Sequence, residues 1–201
     1  VDKDKVDPAI YELLKLANKT TEDIFSLLDN LLKWTKLQIG KQLAIPQSVD
    51  LVPIVKGTTD VFMNVASIKN IKIEFNTEVK SANIFSDIDM LKSCTRNLIS
   101  NAIKFSYEGG IIKVEIKETD HEYIVSVSDN GCGISEANQQ KLLNVGTHYT
   151  SYGTAQEEGS GLGLLLTLEF VQKNNGRLWF ESKEGVGSTF FFSLPKEITN
   201  Q

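Results

Sequence analysis

The 201-residue sequence is short of cysteine, histidine and positive charge, and each shortage excludes something. Its two cysteines, Cys94 and Cys132, stand far apart and inside other motifs, so neither a disulfide framework nor a metal cluster is expected, and a reducing compartment suits the chain. Its two histidines, His121 and His148, fall in predicted loops rather than on a helix. No basic run and no basic patch interleaved with aromatics occurs, and the formal net charge is -5, which argues against nucleic acid as a partner. No signal peptide and no apolar run of membrane-spanning length is present, so the chain as given is expected to be soluble, with an upstream membrane segment left open for a longer parent. Neither the G-x-G-x-x-G fingerprint nor the Walker A loop appears, and there is no internal repeat.

What is present is enough apolar residue, 41%, for a core, and three polar or glycine-rich clusters set between apolar segments. The first runs from Asn97 to Phe105, on a helix expected to start at the N-cap Asp87 and end before Gly109-Gly110. At helical spacing Leu91, Thr95, Leu98, Ala102 and Phe105 form one stripe, and Asn97, Asn101 and Lys104 form another. Two amides and an ammonium on one face suit a hard cation beside a phosphate, or else they are a solvated polar face. The second cluster, Asp129-Asn130-Gly131-Cys132-Gly133, ends the strand-like run Tyr123 to Ser128. Its carboxylate could accept from an exocyclic amine while the glycines admit a flat ligand; the same residues are also strong turn chemistry. The third, Gly159-Ser160-Gly161-Leu162-Gly163-Leu164, precedes an apolar helix and would gather backbone N–H groups at its start.

The remaining chain is read around these clusters. Pro8 to about Gln38 is predicted as one long helix, with Ile10, Leu14, Ala17, Thr21, Ile24, Leu28 and Leu31 in coiled-coil spacing and Leu13, Leu16, Phe25, Leu27, Leu32 and Trp34 widening the apolar face. So broad an apolar surface needs a partner helix or a globular domain. Gly40 closes that helix, and an extended piece lies around Leu43 to Ile45, interrupted at Pro46. Asp50 caps a helix from Leu51 to about Ile68, and a strand covers Lys72 to Asn76. A hairpin follows, Ile111–Glu118 and Glu122–Ser128, and then a helix from Glu136 to Leu143. Asn144 to Ser160 is aperiodic and polar, a lid or a disordered piece. A helix from Leu162 to Lys173, a break at Asn174-Asn175-Gly176 and strands at Arg177–Ser182 and Ser188–Leu194 complete the order. The fold class expected is α+β, a two-layer α/β sandwich with a mixed, largely antiparallel sheet and helices on one face.

With Gly185-Val186-Gly187-Ser188-Thr189-Phe190 behind them, the three clusters resemble, from Gly40 to Pro195, the ATP-binding domain of sensor histidine kinases, within the superfamily of gyrase-type and Hsp90-type (Bergerat) ATPases. The resemblance implies a division into residues 1–39, the second helix of a dimerisation and phosphotransfer hairpin, and residues 40–201, the catalytic domain, with an ATP lid at about 144–160. It implies Mg2+ on Asn101, with Asn97 on the same face and Lys104 at the phosphates. It implies Asp129 reading the adenine amine, Gly131 and Gly133 making room for the base, Phe105 and Ile134 lining its pocket, and Thr189 closing it. Gly159, Ser160, Gly161, Leu162 and Gly163 would wrap the triphosphate, with Thr150 in the lid. The chain departs from many of these kinases at Leu142-Leu143-Asn144-Val145, where they carry a phenylalanine-rich element. Asn97 stands where the gyrase-like and Hsp90-like members have a glutamate, and an amide takes no proton from water at neutral pH. The resemblance therefore implies a kinase acting on a histidine of a phosphoacceptor helix upstream of Val1, with ATP and Mg2+ as cofactors, a response regulator receiver domain as partner, and a parent that is homodimeric, possibly membrane-anchored, with this portion cytoplasmic. A degenerate nucleotide-sensing module and a gyrase-like or Hsp90-like ATPase are the alternatives.

Overall fold

The computed structural model describes residues 45–142, 151–157 and 161–197, and single positions between 7 and 35. The chain forms two units, residues 1–43 and 44–201. In the first, the described positions from Ala9 onward are helical, and Ile10, Leu14, Ile24 and Leu28 of the expected seam are exposed. Leu16, Phe25, Leu27, Leu31, Trp34 and Gly40 lie outside the described residues.

The second unit runs β1 (Gln47–Asp50), α1 (Leu51–Ser67), β2 (Lys72–Thr77), β3 (Asn83–Ser86), α2 (Ile88–Phe105), β4 (Ile111–Glu118), β5 (Glu122–Asp129), α3 (Glu136–Leu142), α4 (Leu162–Lys173), β6 (Arg177–Lys183) and β7 (Gly187–Pro195). Five strands make one sheet in the order β2-β4-β5-β7-β6, parallel only between β2 and β4; β1 and β3 pair as a separate antiparallel ribbon. Strand alternation and register put Val114, Val127, Phe190 and Phe180 in one row, and Ile116, Val125, Phe192 and Leu178 in the next, on a single face. Helices α1, α2 and α4 pack against this sheet, so the fold is the α/β sandwich expected. Leu98, Ile99, Leu166 and Phe170 are almost wholly buried. Burying each such side chain contributes about 1.5–3 kcal/mol, so the layer contact dominates stability.

Both predicted caps form. Asp50 Oδ1 accepts from the N–H of Val52 (3.0 Å) and from that of Ala82 (3.0 Å), joining the start of α1 to the approach to β3. Asp87 Oδ1 accepts from Asp89 and Met90 at the start of α2. The β1–β3 ribbon was not expected: its first strand lies after Pro46 and its partner Asn83–Ser86 was assigned no element, while Leu43 and Ala44 of the extended piece expected around Leu43 to Ile45 lie outside the described residues. A four-residue strand carries little periodicity, and here its pairing comes from far along the chain.

Gly57 lies inside α1, exposed, with nothing within 4 Å of a Cβ built upon it. Gly57→Ala is therefore expected to stabilise the unit by about 0.5–1 kcal/mol, read as a raised denaturation midpoint in urea with an unchanged slope.

Candidate functional site

The last turn of a helix leaves backbone carbonyls without partners, and how α2 satisfies its own organises the site. Ala102 O accepts from Ser106 N within the cap (3.0 Å). The next three carbonyls are taken by distant segments. Ile103 O accepts from Lys69 Nζ (3.0 Å), Lys104 O from Thr154 N (3.1 Å), and Phe105 O from Cys132 N (3.0 Å). The helix end thus holds the turn after α1, the 151–157 segment and the loop after β5.

The loop after β5 is pressed against α2. A Cβ on Gly131 would lie 2.0 Å from Phe105 O, so only glycine allows this approach. Gly133 is left-handed (φ 64°), and a Cβ there would meet Lys183 O at 2.0 Å, which seats the loop on the β6–β7 turn as well. Gly185 N donates to Cys132 O (2.8 Å), and Ile134 N to Ser182 Oγ (2.9 Å). Asp129, in the same row as Ile112, Ser188 and Ser182 on the helix-facing side, is 9% exposed. Its Oδ1 accepts from Gly131 N (2.9 Å) and Ser188 N (3.3 Å). Burial is the largest influence on it and pushes its carboxyl above the ordinary range; the two N–H groups oppose that only in part.

The polar stripe of α2 is half-buried, as an i, i+4, i+7 face turned toward α4 and the 151–157 segment should be. Asn97 Nδ2 donates to Gly163 O (3.0 Å) and Thr167 Oγ1 (3.3 Å), both in α4. Gly163 permits the approach, a Cβ there lying 3.4 Å from the Asn97 amide carbon. Gly161, at the N-cap of α4, is left-handed (φ 68°) and, as a glycine, supplies no side-chain cap. Lys104 Nζ donates to Ser151 O (2.8 Å) and lies over the Phe105 ring, 4.7 Å from its centroid. The Asn101 amide has no hydrogen-bond partner among the described residues.

Of the residues singled out from the sequence, Asn97, Asn101, Lys104, Phe105, Asp129, Gly131, Gly133, Ile134, Gly161, Leu162 and Gly163 lie on α2 or on segments that α2 or the β6–β7 turn holds in place. Thr150, Gly159 and Ser160 lie outside the described residues. Thr189 needs correction: strand alternation turns it to the other face of the sheet, where its Oγ1 donates to Ser128 Oγ (2.9 Å), and Ser188 is the residue beside Asp129. Period-two counting back from the buried Phe192 through Phe190 would have found Ser188. Lys69 escaped the sequence reading, and Thr154 and Glu157 were read only as part of the expected lid, since the contacts between them join segments about 85 residues apart.

Comparison with known proteins places this arrangement in context. Residues 86–198 match the family described as histidine kinase-, DNA gyrase B- and HSP90-like ATPase. The sensor protein EvgS of Escherichia coli (strain K12) is 32% identical over 195 residues, covering 94% of this chain and 16% of EvgS. The nucleotide-free catalytic domain of histidine kinase ThkA superposes with a TM-score of 0.66 at 26% identity, over 75% of this chain and 97% of that one. ThkA in complex with the response regulator protein TrrA gives 0.74 at 19% identity, over 99% of this chain and 55% of that one. The chain therefore spans a small part of its curated relative and about half of the longer solved one.

Proposed function

Because the chain belongs to the histidine kinase-, DNA gyrase B- and HSP90-like ATPase family, we propose that residues 44–201 bind ATP and pass its γ-phosphoryl group to a histidine on a separate phosphoacceptor helix. Asp129 accepts from the adenine amine, while Gly131 and Gly133 leave the base room beside Phe105 and Ile134. Gly161, Leu162 and Gly163 offer backbone N–H groups to the phosphates at the start of α4, where the N-cap residue is a glycine, with Gly159, Ser160 and Thr150 in the preceding lid. Lys104 lies beside this segment through Ser151. An amide oxygen without a hydrogen-bond partner among the described residues is suitable chemistry for a hard cation, so Asn101 is the residue that would hold Mg2+. When bound, that ion neutralises charge on the phosphates.

The observation that carries the reading is the Asn97–Gly163 contact: the residue at the position where the gyrase-like and Hsp90-like members have a glutamate is here an amide committed as a donor to α4, and an amide takes no proton from water at neutral pH. A site of this kind positions ATP and waits for a stronger nucleophile. The imidazole nitrogen attacks the γ-phosphorus, a P–N bond forms, the bond to the β–γ bridging oxygen breaks and ADP leaves. His121 is exposed in the β4–β5 turn and not on a helix, and His148 lies outside the described residues in a stretch read from the sequence as a loop, so this reading puts the acceptor on another segment. The helical first unit, with its exposed apolar seam, suits the second helix of a dimerising hairpin. That hairpin would relay the phosphoryl group to a response regulator, in the cytoplasmic part of a homodimeric sensor.

Incubation with Mg-ATP and a separately supplied phosphoacceptor hairpin is expected to give acid-labile phosphate on the hairpin, none on this chain, and much slower release of free phosphate. Steady release without an acceptor would instead identify a gyrase-like ATPase. Tight binding without transfer would identify a nucleotide-sensing module.

A further inference from the structure

Lys69 lies in the turn after α1, outside every motif the sequence offered, yet its side chain is only 17% exposed and carries four contacts. Its Nζ donates to Ile103 O (3.0 Å) and Lys104 O (3.3 Å) at the end of α2, to Thr154 Oγ1 (2.9 Å), and to Glu157 Oε1 (3.0 Å). A cation there also complements the negative end of the helix dipole. The base of the side chain is fixed, because Lys69 O accepts from Gly109 N (3.1 Å) and Lys69 N donates to Ala66 O (3.0 Å).

The segment it grips is a closed strap. Gly153 N donates to Glu157 O (2.9 Å), Gln156 N to Gly153 O (3.0 Å), and Ala155 N to Glu157 Oε2 (2.8 Å), with Gln156 left-handed at φ 60°. Thr154 Oγ1 donates to Ser106 O (2.6 Å), and buried Gly153 lies so close to Lys104 that a Cβ would be 2.8 Å from Lys104 O. Glu157 is partly buried, which alone would raise its carboxyl; the Lys69 bond and the backbone N–H groups outweigh this and hold it below its ordinary value. From Glu157 to Gly161 the chain has four peptide steps, a reach of at most about 14 Å.

We infer that Lys69 is a positioning residue: it latches the strap 153–157 to the C-terminal carbonyls of α2, four peptide steps before Gly161 and the start of α4, where the nucleotide's phosphates are proposed to bind. The inference rests on the nucleotide-binding function proposed above. Fixing residues 153–157 before the nucleotide arrives lowers the ordering cost of binding at the end of the ligand nearest Gly161, so the latch acts on phosphate contacts and not on the base.

The test compares the full chain with Lys69→Met and Glu157→Gln, using amide hydrogen exchange over 151–157 without nucleotide, and calorimetric affinities for ATP and, by competition, AMP. Lys69→Met is expected to speed exchange at Gly153 and Thr154 at least tenfold and to weaken ATP about tenfold, while AMP changes less than twofold. Glu157→Gln, which keeps an acceptor but no charge, is expected to fall between. Unchanged exchange in both variants would mean there is no latch. Faster exchange with unchanged ATP affinity, or equal losses of ATP and AMP, would reduce Lys69 to a purely structural residue and overturn the inference. Failure of the unsubstituted chain to bind ATP would overturn the proposed function itself, and shows before any variant is compared.

Discussion

Asp129→Asn is expected to lose ATP affinity by at least about 100-fold, equivalent to about 2.7 kcal/mol, while the protein remains as stable as before or becomes more so. The two halves of this result have different origins. The carboxylate is nearly buried and receives Gly131 N and Ser188 N on one oxygen, Oδ1, which leaves the other for a ligand donor. An amide in the same place can keep its oxygen toward the two N–H groups, and then turns its NH2 toward the adenine amine. Donor faces donor, and the buried mismatch costs far more than the lost bond. Stability moves the other way because burial raises the Asp129 carboxyl in the folded state above its ordinary 3.8. The folded protein therefore binds more protons than the unfolded chain between 3.8 and the raised value, and stability falls as pH rises through that window. At neutral pH the ionised group is a burden that the neutral amide lacks. Thermal melts should show Asp129→Asn equal to or above the unsubstituted protein at pH 7, the difference shrinking toward pH 4, with the upward shift produced by ATP abolished. Unchanged ATP affinity by calorimetry would remove Asp129 from the adenine contact.

The same conflict between burial and charge is partly why a candidate site could be proposed from sequence at all. An acid ending an apolar strand and followed by glycines, or amides on the rim of an otherwise apolar helix, is locally inconsistent with packing alone. Asp129, Asn97 and Asn101 announced themselves in that way, and the caps Asp50 and Asp87 were legible because capping is local chemistry. Half of the burial of α2 was not. The stripe Leu91, Thr95, Leu98 and Ala102 is buried, but so are Met90, Cys94, Ile99 and Ile103, because the helix is covered by the sheet, α1 and α4 together. That second covering depends on the strand order, which no window of sequence contains. The same holds for the β1–β3 ribbon, the parallel β2–β4 pair and Lys69. Thr189 failed differently: the glycine-threonine resemblance pointed one residue too far along a strand, and a one-residue step reverses the face.

Gly131→Ala should be among the most damaging of the single methyl additions, lowering stability by about 3 kcal/mol and the melting temperature by about 6–12 °C. Its effect is not one of backbone preference, since Gly131 has no positive φ. It comes from contact. The added Cβ would sit 2.0 Å from Phe105 O and 2.9 Å from Ser106 Cα, both main-chain atoms at the end of α2, so no rotamer change relieves it. To separate, the loop must give up the bond from Cys132 N to Phe105 O, leaving that helix carbonyl unpaired, and move Gly131 N away from Asp129. One methyl group therefore reaches both the fold and the carboxylate proposed to read the base, and ATP should no longer raise the melting temperature. Gly109→Ala is the matching control. Gly109 is left-handed (φ 76°) with nothing within 4 Å of its Cβ position, so alanine there meets only the intrinsic strain, about 1–2 kcal/mol, and should leave ATP binding intact. If Gly131→Ala melted no lower than Gly109→Ala and still bound ATP, the close seat of the loop on α2, on which the whole site is built, would be wrong.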